Sequence, residues 1–207
     1  MSASEIVRWG ALSAIVGGAL LVITNLWDPI MEGLGAAEPF SETAATPSFV
    51  ILNGISLLAG VLILFGLVGL NLRQSEAAGV LGRVGFVGAF LGTALVVGIA
   101  WATVFVVPSL AVAAPGFLEA EEVPGPLNTG VFASFGALSV GWALFGVAAL
   151  RARIYPWWAA IVLMIAALIQ LLPFPGIPLV FGMAVALFGF LSLSGAGISA
   201  GESSRAR

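Results

Sequence analysis

The chain has 207 residues, of which 60% are hydrophobic and 8% charged; 7 are basic and 10 acidic, and the mean hydropathy is +1.15. Soluble domains carry roughly 45–50% apolar and about 25% charged residues, so this composition excludes one and points to an all-α integral membrane protein. With no His, no Cys and no Lys in the sequence, disulfides, thiolate or imidazole metal sites, Ser-His or Cys-His nucleophile pairs and Schiff-base cofactors are excluded, and a net charge of −3 offers no clustered positive charge for nucleic acid.

Six apolar blocks follow in chain order, near residues 9–27, 49–70, 84–107, 128–150, 157–172 and 177–194. Most reach the ~20 residues that cross about 30 Å of hydrocarbon, where a helix satisfies every backbone group internally. The first block, preceded by Arg8, has the look of a signal peptide. It is long, however, and no small-x-small site follows Trp27 closely, so a retained helix is expected. The fifth block is short and is closed by Pro173, Pro175 and Pro178. The six blocks predict a polytopic transmembrane bundle of six helices over residues 1–194, and the residues from 195 to 207 read as a flexible cytoplasmic tail.

The arginines set the expected orientation. Arg8, Arg73, Arg83, Arg151, Arg153, Arg205 and Arg207 all fall on one side of a six-helix serpentine. Positive charge favours the cytoplasmic face, so both termini are expected inside a bacterial plasma membrane. Asp28, Glu32, Glu38 and Glu42 fall in one loop on the other side and Glu119, Glu121 and Glu122 in another. Arg73, Arg83, Arg151 and Arg153 read as topology anchors, with Tyr155, Trp157 and Trp158 as an interfacial aromatic belt. An anionic-lipid or phosphate site at the turn after Arg151 is the functional alternative. The acidic loops read as solvated surface: three nearby glutamates supply oxygens of the kind calcium takes, but their spacing is not that of an EF-hand.

An internal plan emerges when the even-numbered helices are aligned. Leu64-Phe65-Gly66, Leu144-Phe145-Gly146 and Leu187-Phe188-Gly189 each lie one to two turns before the arginine-side end of a returning helix. Three hairpins inserted in one direction would be parallel repeats about an axis along the membrane normal. Small residues at four-residue spacing, Gly88 with Gly92, Ala14 with Gly18, Ala137 with Gly141 and Gly182 with Ala186, predict close helix packing within the chain, with homodimerisation as the competing use.

No ionisable residue lies at mid-depth in any block, which argues against an ion-coupled pump and an intramembrane hydrolase. Polar residues instead favour the outer half. Asn25, Asn53, Thr103, Asn128 and Gln170 are the candidate ligand-binding residues of an outward-facing hollow, with Asn53 the leading one and Ser134 nearby; no metal and no cofactor is expected.

The third block, Gly85 to Leu95, and the turn from Leu144 to Arg153 with Pro156-Trp157-Trp158-Ala159 resemble a broad group of small, uncharacterised six-helix membrane proteins of high-GC bacteria. The resemblance implies a fold and a location and carries no activity. The sequence is read as a non-enzymatic membrane component that packs on partner subunits or holds a lipid-like ligand. A passive channel or facilitator for a small solute is the alternative. Expected partners are membrane lipids and, within the bilayer, another subunit or a second copy of the chain.

Overall fold

The structure, a computed structural model, describes residues 2–33, 39–120, 125–172 and 177–205. All regular structure among them is helical: α1 (Ala3–Gly33), α2 (Phe40–Ala44), α3 (Pro47–Phe105), α4 (Val107–Ala113), α5 (Pro115–Leu118), α6 (Gly125–Ala152), α7 (Trp157–Leu168) with a 3₁₀ turn at Ile169–Leu171, and α8 (Ile177–Arg205). Four stretches are long and apolar enough to cross a membrane, Ala3–Leu26, Pro47–Ala113, Gly125–Ala152 and Ile177–Gly195, and Trp157–Leu171 is a shorter apolar helix.

The second of these stretches is 67 residues long but is not one rod. Gly79 has φ 58° and ψ −143°, a backbone that breaks the helix and that L side chains avoid. A methyl group placed on Gly60 would lie 2.8 Å from Val97 Cγ2, so the arms 47–78 and 80–105 fold back side by side. Where the sequence predicts a loop between two blocks, the turn is a bend at one glycine, with helix running to both sides of it. The start of α3 is set by Thr46, whose hydroxyl accepts from Phe49 N at 3.3 Å, and by Pro47, whose missing N–H is no loss at a helix start.

Small residues then decide which helices touch. Gly10 meets Gly69 and Ala14 meets Gly66, which runs α1 antiparallel to the first arm of α3. Gly88 meets Gly141 and Gly92 meets Leu138, which runs the second arm antiparallel to α6. Gly18 meets Gly182 and Ala186, and Gly189 meets Ala11, which runs α8 antiparallel to α1. All four small-residue pairs named from the sequence are used inside the chain, where the missing side chains let backbones approach and dispersion replaces the hydrophobic effect that lipid cannot supply.

Gly66, Gly146 and Gly189 each sit at a helix contact, but with different kinds of partner. Gly66 and Gly189 pack on α1, at Ala14 and Ala11, and Gly146 packs on α7, at Met164 and Ala160. Phe65 is exposed while Phe145 and Phe188 are fully buried.

These contacts bring Arg8, Arg73, Arg83, Arg151 and Arg153 to one end of the bundle, called here the arginine end. At the opposite, far end, α2, α4 and α5 pack together, and Ser41 N donates to Glu119 Oε1 at 2.7 Å. This bond, with a smaller pull from the Ser41 hydroxyl, holds the Glu119 carboxyl below its ordinary pKa. Segment 107–118 is helical on both sides of Ala114. Asp28 and Glu32 lie on the helical backbone of α1 instead of in a loop. Glu38, Glu121 and Glu122 lie outside the described residues. At the other extreme, α8 continues as helix to Arg205, beyond residue 194 where the apolar block ends.

Candidate functional site

The far half of the bundle contains a cavity of about 210 Å³ between α1, both arms of α3, α6 and α8, with the 3₁₀ turn after α7 at its edge. Its walls are mostly apolar, including Ile63, Val97, Leu138 and Phe181, and its polar groups are Asn25, Ser56, Thr93 and Gln170. Gly60 leaves room on one side, as any larger residue there would press on Val97.

The floor of the cavity is built from a hydrogen-bond relay. Trp142 Nε1 donates to Thr93 Oγ1 at 2.9 Å, and Thr93 Oγ1 donates to Ala89 O at 2.6 Å. Trp142 is fully buried, with its ring edge-on to Phe181 at 5.2 Å and to Phe145 at 5.7 Å. The indole N–H therefore has its partner, and the aromatic cluster fills the bundle below the cavity.

Asn25 and Gln170 form the other end of the lining. Asn25 Nδ2 donates to Leu21 O at 2.8 Å, which leaves its oxygen and one N–H uncommitted among the described residues. Gln170 is 9% exposed as a residue, and its amide makes no hydrogen bond to the described residues, although its polar atoms are not fully sealed from solvent. Its amide atoms line the cavity and are not sealed from solvent, so this end is where a polar group of a ligand can meet them.

Of the five residues read from sequence as lining one hollow, the cavity brings together Asn25 and Gln170. Asn53 is half-buried one turn further along the first arm of α3, and its amide donates to Phe49 O at 2.9 Å, within its own helix. Thr103 likewise donates to Ile99 O at 3.0 Å, and Asn128 is exposed. Sequence reasoning missed Ser56 and Thr93. Ser56 carried a usable signal, because residues 56, 63 and 70 recur at heptad spacing and both Ile63 and Leu70 are buried.

The arginine end has its own polar cluster, and it corrects the aromatic-belt reading at one residue. Tyr155 is 4% exposed instead of interfacial, whereas Trp157 is 67% and Trp158 43% exposed. Its hydroxyl shares a 2.8 Å hydrogen bond with Ser192 Oγ, and its ring lies 4.5 Å from that of Phe188. Burial pushes the Tyr155 pKa up, against smaller downward pulls from Ser192 and the Arg73 charge, so the hydroxyl keeps its proton. Arg73, read as a plain anchor, turns inward: its guanidinium carbon sits 5.6 Å from the Tyr155 ring centroid and Nη1 donates to Ser192 O. Arg83, Arg151 and Arg153 are exposed, and Arg153 ends α6 with φ 55°. Gln74 is fully buried on the core face of α3, and neither of its amide atoms has a partner among the described residues.

Helices of this length and apolarity make the chain a membrane-embedded protein. Among known proteins the chain matches no family model, no curated protein and no solved structure. Among the described residues no group of three or more carboxylates is placed to hold a metal ion.

Proposed function

We propose that this chain is a non-enzymatic integral membrane protein that holds a small lipid-like ligand in the far-end cavity. The observation that carries the reading is Gln170, a residue nine-tenths buried whose amide lines a mostly apolar cavity and has no hydrogen-bond partner among the described residues. An apolar pocket with a few convergent polar groups is the usual form of a small-molecule site.

The same reading takes the bend at Gly79 and the shorter helix Trp157–Leu171 as completing six spans, in three hairpins inserted the same way. With the arginines gathered at one end, both termini face the cytoplasm of a bacterial cell and the cavity belongs to the outer half. Exposed apolar side chains such as Phe65, Phe132 and Phe190 meet lipid or a partner subunit. Passive conduction of a solute is the weaker reading, because Trp142, Phe145 and Phe188, all fully buried, occupy the bundle between the cavity and the arginine end.

The test is extraction. Purified wild-type protein and the cavity-filling variant Ser56→Phe, each in lipid nanodiscs, are denatured in organic solvent and the released small molecules compared by mass spectrometry. A species carried by the wild type and depleted in the variant is expected. Equal recovery of every species from both would refute the proposal.

A further inference from the structure

The chemistry of the lining narrows the ligand, given that the cavity holds one. Its described polar groups, Asn25, Ser56, Thr93 and Gln170, are all uncharged. A carboxylate or ammonium brought between Ile63, Leu138 and Phe181 would lose its hydration with no counter-charge to meet it, and that loss is several kcal/mol even after relaxation. Neutral molecules avoid it.

Position separates the polar groups into two kinds. Thr93 is already committed at the floor, giving its proton to Ala89 O and taking one from Trp142. Among the described residues, Gln170 keeps its whole amide unspent at the opposite end, and Asn25 its oxygen and one N–H. A ligand head that only accepts would leave those oxygens unpaired, and one that both donates and accepts would satisfy both kinds of atom. A hydroxyl or a primary amide does so.

Size follows from the helix contacts. Gly17 packs against Ile63, and Asn25 lies eight residues further along α1; at 1.5 Å per residue the lining is about 12 Å long. A cavity of 150 Å³ accepts benzene, so a volume of about 210 Å³ suits roughly eight to ten non-hydrogen atoms.

We infer that the far-end cavity selects an uncharged amphiphile of medium length, with a hydroxyl or amide head at Gln170 and Asn25 and a hydrocarbon tail against Ile63 and Leu138, over its carboxylate and amine counterparts. The inference rests on the ligand-holding reading above, and the experiment separates the two. Protein in nanodiscs is photolabelled with a diazirine analogue of 1-octanol, and labelled peptides are mapped by mass spectrometry. Competitors are 1-octanol, octanamide, octane, octanoate and octylamine at matched bilayer mole fractions.

Labelling of α1, α3 and α6 lining peptides is expected, with octanol and octanamide protecting about tenfold better than the other three, the factor that a hydrogen bond worth about 1.4 kcal/mol supplies. Gln170→Leu and, separately, Asn25→Leu should remove most of that preference while octane gains as a competitor. Asn128→Leu, at an exposed position off the lining, should change nothing. Unchanged thermal unfolding of the two lining variants shows that they fold. If octanoate, octylamine or octane protects as well as octanol, the ligand class is wrong and the cavity still holds ligands. Labelling of the lining peptides no greater than in Ser56→Phe sinks the ligand-holding reading itself.

Discussion

Replacing Gly10 by Ala tests the packing argument at its tightest backbone contact between α1 and α3. The added methyl carbon would lie 2.5 Å from Gly69 Cα, 2.9 Å from Gly69 N and 3.3 Å from Phe65 O. All three are backbone atoms, so no side chain can swing away. Carbon atoms at rest stand about 3.5–4.0 Å apart, and the helices must separate by about 1 Å to restore that. Separation also loosens the next contacts along the same seam, Ala14 with Gly66 and Gly17 with Ile63. Overpacking of this kind costs about 1–3 kcal/mol. Gly54→Ala is the matched control, because nothing lies within 4 Å of the position a Cβ would take; there the higher helix propensity of Ala should leave stability unchanged or raise it by up to about 1 kcal/mol. Equilibrium unfolding in mixed micelles, followed by intrinsic fluorescence, measures both. Equal shifts for the two variants, or a Gly10→Ala protein as stable as the wild type, would refute the reasoning.

Gln74→Leu should stabilise the fold by roughly 1–3 kcal/mol in the same assay, since it removes a fully buried amide with no partner among the described residues; a loss of stability would mean that Gln74 is satisfied by something bound. Gly79→Ala meets no steric obstacle yet should destabilise by about 1–2 kcal/mol through its positive φ alone, and a neutral result would remove the bend from its place in the fold. Glu119 has a depressed folded pKa, so its contact with Ser41 adds stability above the ordinary value of 4.5 and loses it as pH falls through the lower folded value. Hydrogen exchange at residues 40–44 should therefore speed up on acidification beyond the intrinsic change, and Glu119→Gln should reproduce the effect at pH 7. Because the chain has no Cys, single cysteines at Ala120 and Ala152 can be labelled on intact cells with an impermeant reagent; labelling at Ala152 and not Ala120 would overturn the proposed orientation.

Local quantities in the sequence carried the apolar cores of the helices but not their ends, because hydrophobic length acts on each segment alone while the helices run on past the blocks at Asp28, Gly79 and residue 194. The gathering of arginines at one end followed from the order of blocks, and the small-residue pairs marked real seams such as Gly88 with Gly141. Which way a polar side chain points was a different matter. Residues 53, 60, 67 and 74 keep a strict seven-residue spacing, but a straight helix drifts about 20° per heptad against that repeat. Over the three heptads from Gln74 back to Asn53 the drift is about 60°, enough to leave Gln74 fully buried and Asn53 only half-buried and beside the cavity instead of in it. Tyr155 shows the same division: its place in a turn between apolar blocks suggested the interface, but Phe188, Ser192 and Arg73 arrive from other helices and enclose it. Sequence sets what each helix is, since burial in lipid is a property of the segment. Only the tertiary arrangement decides which groups meet, since that depends on the rotation and separation of helices far apart in the chain.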